Sequence, residues 1–334
     1  MLNQALDLEE AGGSRADREI AAKWVSTPLF NAPIERVFVG TGGHDGCLVA
    51  LLALNLTGKA VAVEEFSYAS FRLLANALKI RLFTVKMDDE GLIPGDLEQL
   101  CQRENIAALY CMASVHNPTS STLSLERRQE ICHLAERHSL MIIEDDAYGF
   151  LEDKPLPNFA MLSPERAFYI QSFSKPFAPG LKVAYFIVSE KLAARVASVI
   201  SMTSSNSSAL LTGICNRLIQ DGSMTLVIGA KRREGERRQA IARTTLSDLP
   251  IRAHPNSWHL WVRLPEKMDA DRLVAACEAA DLLIDPASKF QPQTAKPFPA
   301  IRIGLGGTRE EGRMIEGLEI LNHTINTLAV PPST

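Results

Sequence analysis

The sequence predicts an α/β protein in which a large three-layer α/β/α domain, built on a mainly parallel sheet, is followed by a smaller α+β domain. Three observations support this. Strand-like apolar runs alternate with helix-like runs from about residue 36 to residue 143, the pattern of repeated β-α-β units. The chain has 334 residues, 46% hydrophobic and 22% charged, enough for a large core and about two domains. After about residue 225 a charged helix, Lys231-Arg232-Arg233-Glu234-Gly235-Glu236-Arg237-Arg238, leads into a mixed run of strands and helices. The expected divisions are a short N-terminal segment over 1–34, a large domain over 35–225 and a small domain over 226–334.

Taken in order, Arg36-Val37-Phe38-Val39 reads as the first strand, followed by a helical run over Cys47 to Leu56. Val61-Ala62-Val63 is a strand, Phe71 to Leu78 a helix and Arg81 to Val85 a strand. Asp96 to Arg103 is helical, Ala107 to Met112 a strand, Leu125 to His138 an amphipathic helix and Met141-Ile142-Ile143 a strand. Ala167-Phe168-Tyr169-Ile170 and Val183 to Val188 read as two further buried strands. The chain contains no internal repeat and no low-complexity tract.

Composition narrows the function. A formal net charge of -4 gives no basic field, so nucleic acid or an anionic membrane is not expected as a partner. No uninterrupted apolar run reaches the ~18 residues of a spanning helix, and MLNQALDLEEAGG lacks a signal-peptide pattern. A cytoplasmic location is expected. Cys47, Cys101, Cys111, Cys132, Cys215 and Cys277 are widely spaced and form no metal-ligand cluster, so they read as reduced core residues, and no metal is expected.

In a parallel sheet ligands collect at the loops after the strands. After the first strand comes Gly40-Thr41-Gly42-Gly43-His44-Asp45-Gly46, a turn whose bare amides and helix dipole could hold a phosphate. It is neither GxGxxG, since Asp45 takes the third glycine position, nor a P-loop, since its lysine is missing. Ser114-Val115-His116-Asn117-Pro118-Thr119 follows the fourth strand, and Glu144-Asp145-Asp146-Ala147-Tyr148 follows the fifth. Ser172-Phe173-Ser174-Lys175-Pro176-Phe177-Ala178-Pro179-Gly180 joins two buried strands. A lysine in such a loop is ordinarily a solvated charge, an Asn-Pro-Thr an ordinary turn and an acidic triplet a solvated edge. Placed at one end of one sheet, the four loops form a candidate site.

The order GTGGH, VHNPT, EDDAY, SFSKPFAPGLK and IRIGLGG, at Ile301 to Gly307, resembles the successive signatures of fold-type I pyridoxal-phosphate enzymes. It is most similar to class I/II aminotransferases, including the aminotransferase-like domains of GntR-type (MocR) regulators, from about Asp17 to Ile320. The resemblance implies that Lys175 forms a Schiff base with pyridoxal 5'-phosphate and then moves the substrate proton. It implies that Asp145 pairs with the pyridine nitrogen, that Asn117 and Tyr148 hydrogen-bond the ring 3-oxygen, and that Tyr68 stacks on the ring. Gly42, Gly43, His44, Ser172, Ser174 and Lys182 match the phosphate site, and Arg302 the arginine that clamps the substrate carboxylate. The implied partners are an amino acid, a 2-oxo acid and, through the polar run Thr203 to Ser208 near the family's subunit contact, a second copy in a homodimer.

The chain also departs from the family pattern. Lys182 stands where arginine is usual, Leu8 where a tyrosine reaches the partner's phosphate, Ser120 where NPTG has glycine and Phe66 where proline is usual. Family members have some tens of residues before this start, so a looser cofactor site and a more open substrate pocket are expected. The leading expectation is an aminotransferase working by two half-reactions. The alternatives are a cofactor-binding sensor domain with little turnover, or elimination or decarboxylation on the same scaffold, with a nucleotide-binding oxidoreductase behind them. No winged-helix region is recognised in the chain. His259 and Trp261, in NSWHLW, either line the site or pack the small domain, and packing is favoured.

Overall fold

Short apolar runs become the strands of one mixed sheet in the computed structural model, which describes residues 10–28, 30–292 and 294–329. They are β1 (Val37–Gly40), β2 (Ala60–Glu64), β3 (Arg81–Val85), β4 (Ile106–Cys111), β5 (Met141–Asp146), β6 (Ala167–Ser172) and β7 (Ala184–Ile187). Their spatial order is β1-β7-β6-β5-β4-β2-β3. β2 pairs in parallel with β3 and β4, β4 with β5, and β5 with β6. Only β7 runs against its neighbours. The mainly parallel sheet expected from the alternating pattern is therefore present, with both faces covered, as parallel sheets require.

One face carries Val37, Val39, Ala62, Leu109, Ile142, Tyr169 and Ile187, packed with buried side chains of α1 (Arg15–Val25), α4 (Pro94–Arg103) and α5 (Leu125–Arg137). α1 starts at a capping box in which Ser14 and Asp17 satisfy each other's backbone amides. The opposite face carries Val61, Val63, Ile143, Ile170 and Phe186, all buried. α2 (Gly43–Ala53) packs there. A side chain on Gly46 would put its Cβ 2.6 Å from Phe186 and 2.8 Å from Ile170, so the helix reaches the sheet only because this residue has none.

Several boundaries differ from those expected by one to four residues, and two of the differences bear on the site. α2 begins at Gly43 and not at Cys47, because burial against the sheet holds a glycine-rich turn in helical form against its propensity. β5 runs through Asp146, so Glu144, Asp145 and Asp146 end the strand instead of following it. Their backbones pair with Tyr169, Ile170 and Gln171 of β6, and a central strand keeps pairing for as long as its neighbours do.

The described residues group into two units. The first comprises the described residues of 10–64, 70–114 and 122–229, and the second those of 65–69, 115–121 and 230–329. The first also holds α3 (Ala69–Ala77) from its second residue, α6 (Phe159–Leu162), α7 (Glu190–Thr203) and α8 (Ala209–Gln220). The boundary falls within α9 (Ser223–Thr245). The second unit contains an antiparallel sheet of β8 (Ile251–Arg252), β9 (His259–Arg263), β10 (Asp285–Pro286) and β11 (Ala300–Gly304), ordered β8-β9-β11-β10. Its core joins Leu260, Val262, Ile301 and Ile303 to α10 (Ala270–Ala279) and α11 (Glu311–Ala329) through Leu273, Cys277, Leu318 and Leu321. No helix among the described residues is long and apolar enough to cross a membrane. All six cysteines are free.

Candidate functional site

The glycine turn after β1 is a place for an anion. Gly42 has φ +118°, a conformation that strains any residue with a Cβ. No side chain caps α2, and the first amides of a helix have no partner within it. A Cβ on Gly43 would lie 3.2 Å from Ser172 Cβ, and one on Gly42 would lie 3.9 Å from Lys182 Cδ. The helix start, the Ser172 side chain and the Lys182 side chain therefore converge, combining N–H donors, a hydroxyl and a cation, the complement of a phosphate. The Ser174 amide donates to Ser172 Oγ at 3.3 Å and its hydroxyl donates to Leu181 O at 3.4 Å, which closes the loop on itself. His44 is exposed on the first turn of α2. Leu8 lies outside the described residues.

The acids of β5 divide between the two faces of the sheet, because successive side chains of a strand alternate. Asp145 shares the α2 face with Tyr110, whose Oη donates to Asp145 Oδ2 at 2.9 Å. The Cys47 thiol reaches the same oxygen at 3.9 Å. Burial pushes the Asp145 carboxyl up to about 6; the bonds from Tyr110 and Cys47 and the charge of Lys175 pull it down, and Asp146 pushes it up. Lys175 is exposed, its Nζ 5.9 Å from the centre of the buried Tyr148 ring. A buried carboxylate and a solvent-facing amine at one end of a sheet are groups that proton chemistry on a bound ring can use.

Glu144 and Asp146 face the other way. Glu144 accepts from the Phe159 amide at 2.7 Å and lies 3.7 Å from Arg128 Nη1. Burial raises its carboxyl to about 8 despite the pull of Arg128. Arg128 is completely buried and donates to Leu123 O, Pro157 O, Ala113 O and Ser114 Oγ at 2.9–3.1 Å. It ties together the two ends of the loop that carries Asn117. Reading the sequence for chemistry-bearing loops missed it, although Arg128, Ile131, Cys132 and Ala135 fall at i, i+3, i+4 and i+7 on the buried stripe of α5. Tyr110 and Cys47 were missed as well. Both sit in apolar runs that signal only core.

In the second unit, Asn117 is buried with no hydrogen-bond partner for Oδ1 among the described residues. Its loop is held by His259, whose Nε2 lies 3.2 Å from His116 O and whose Nδ1 lies 3.1 Å from Ser257 Oγ. Trp261 packs with Phe66 at 5.2 Å and with Phe290 and Phe298. His259 and Trp261 thus pack within the second unit, where Phe66 anchors the segment that bears Tyr68. Tyr68 is half-buried. Arg302 Nη1 donates to Asp285 Oδ2 at 3.3 Å, and its Nε is buried without a partner among the described residues.

A family model described as aminotransferase class I and II matches residues 12–313. The HTH-type transcriptional regulator YdeF of Bacillus subtilis (strain 168) is 25% identical over 318 residues, 95% of this chain and 69% of its own length. Three further HTH-type regulators are covered over only 51% to 61% of their lengths. An aromatic amino acid aminotransferase of Schizosaccharomyces pombe, C56E4.03, is 29% identical over 190 residues, 47% of this chain and 40% of its own. In three dimensions the chain is similar to the Pyrococcus horikoshii kynurenine aminotransferase solved with PMP. The TM-score is 0.90 at 19% identity, covering 99% of this chain and 84% of that one.

Proposed function

Because the chain belongs to the class I and II aminotransferase family, we propose that it moves an amino group between an amino acid and a 2-oxo acid, with Lys175 as the amine that reacts. Pyridoxal phosphate, its cofactor, supplies an aldehyde that accepts amines and a ring that takes up the electron pair of a broken Cα–H bond. Residues of the first unit fit that group: a phosphate cradle at Gly42, Gly43, Ser172 and Lys182 and a buried carboxylate for a ring nitrogen.

The observation that carries the reading is a buried carboxylate, Asp145, held by Tyr110 Oη at 2.9 Å at the end of β5, the same end of the sheet as the glycine turn after β1 and the Lys175 loop after β6. In this reading Lys175 Nζ would take the proton from the substrate Cα and deliver it to the former aldehyde carbon of the cofactor, while Asp145 would hold a proton on the ring nitrogen. Asn117 and Tyr148 orient the ring 3-oxygen, Tyr68 covers a ring face, and Ser174 and His44 support the phosphate side. Arg302 receives the substrate carboxylate. Residues 35–225 serve as the cofactor-binding domain and 226–334 as the small domain, in a protein of the cytoplasm, where six free cysteines stay reduced.

We also propose a homodimer. Met202, Leu210 and Leu226, on α7, α8 and α9 of the first unit, are large apolar side chains left in water, surface that a second copy would cover. Sedimentation at micromolar concentration should give twice the chain mass, and a monomer retaining cofactor tightly would oppose it. The likeness to HTH-type regulators favours a second reading, a domain that holds the cofactor and senses amino acids without turnover. For the main proposal, borohydride treatment of the loaded protein should leave a covalent adduct on Lys175 that disappears in Lys175→Ala. An adduct retained elsewhere in that variant would refute the assignment.

A further inference from the structure

Asp145 is buried at the end of a central strand, where its side chain could rotate to offer either oxygen. Both side-chain hydrogen bonds that it accepts arrive at one of them. Tyr110 pairs in register with Ile143, two residues before Asp145, so the phenol leaves the same face of the sheet and its Oη lies 2.9 Å from Oδ2. Cys47 projects from α2 onto that oxygen at 3.9 Å. Neither group is exposed, and burial raises both the phenol and the thiol, so they act as donors only. The phenol itself is fixed by Phe71, whose ring stacks on it at 3.6 Å and 13°. Oδ1 accepts no side-chain bond among the described residues.

We propose that Tyr110 and Cys47 are positioning residues for Asp145: by donating to Oδ2 alone they fix the carboxylate's rotation and present Oδ1 to the cofactor's ring nitrogen. The inference rests on Asp145 being the ring-nitrogen partner. Two neutral donors also offset part of the cost of a charged carboxylate out of water. The ionisable groups that act on Asp145 are Cys47 from α2, Tyr110 from β4, Lys175 from the loop after β6 and, through its charge from the other face of the same strand, Asp146. Of these only Tyr110 and Cys47 set which oxygen is free. Groups that orient a ligating residue typically matter about 10-fold or more to the affinity of what it binds.

The test compares the wild type with Tyr110→Phe, Cys47→Ala, Cys47→Ser and Asp145→Asn in the full chain. Pyridoxal-phosphate affinity is read by equilibrium dialysis, and the Asp145 carboxyl is titrated by carbon NMR without cofactor, its signal assigned by its loss in Asp145→Asn. Tyr110→Phe keeps the ring that stacks on Phe71 and removes only the hydroxyl. It should weaken cofactor binding about 10-fold and move the Asp145 titration upward. Cys47→Ala should act in the same direction by roughly 2-fold, and Cys47→Ser should restore the wild-type values because it keeps a donor. If Asp145→Asn weakens binding but Tyr110→Phe leaves affinity and titration unchanged, the positioning role is refuted and the reading of Asp145 survives. If Asp145→Asn leaves affinity and the bound-cofactor spectrum unchanged, the reading of Asp145 is itself refuted, and the inference with it.

Discussion

Ser120 is held at φ +59°, and its Oγ is buried without a partner among the described residues. An L-residue pays about 1–2 kcal/mol for that conformation, which is why glycine is usual here. Ser120→Gly should stabilise the chain by about 1 kcal/mol, the strain and the lost hydroxyl outweighing the added freedom of the unfolded chain. Chemical denaturation checks this, and a lower midpoint would contradict it. At this scale the candidate residues were legible as loop motifs, because reactive groups stand out against apolar strands. Tyr110 was not, since in Ile106–Cys111 it reads only as strand core and its task depends on a neighbour 35 positions away. Arg128 was hidden for the opposite reason, as one of three arginines on an amphipathic helix, where charge reads as the solvated face.

The elements that position the site are β5 and α5. Glu144 on β5 has its carboxyl raised to about 8 by burial, so its contribution to folding is fully present below the ordinary carboxylate range and is lost as pH rises through about 8. Arg128 on α5 limits that loss by facing the charged form at 3.7 Å. Arg128→Met should therefore destabilise the chain by about 3–5 kcal/mol, with a larger loss at pH 9 than at pH 6. Denaturant midpoints at the two values measure the difference. An equal or smaller loss at the higher pH would show that Arg128 acts through its bonds to Ala113, Ser114, Leu123 and Pro157 alone. Periodicity placed these two elements but shortened β5 by its three acids, because hydropathy cannot report backbone pairing that continues under charged side chains.

For the whole molecule, the order of strands and loops was legible because a parallel sheet needs an alternation of β and α runs, and each run carries its own period. The membership of Glu65–Ala69 and Val115–Ser121 in the second unit was not, since no local pattern records which core a short loop joins. The central claim is that Lys175 and Asp145 serve turnover and not only cofactor retention. The most direct measurement is the absorbance spectrum of the pyridoxal-phosphate-loaded chain, titrated with amino acids and then with a 2-oxo acid. The account predicts that the band of the lysine-bound cofactor falls as a pyridoxamine phosphate band rises, and that the 2-oxo acid reverses the change. A lysine-bound band that shifts on binding but never converts, across a broad panel of amino acids, would contradict it.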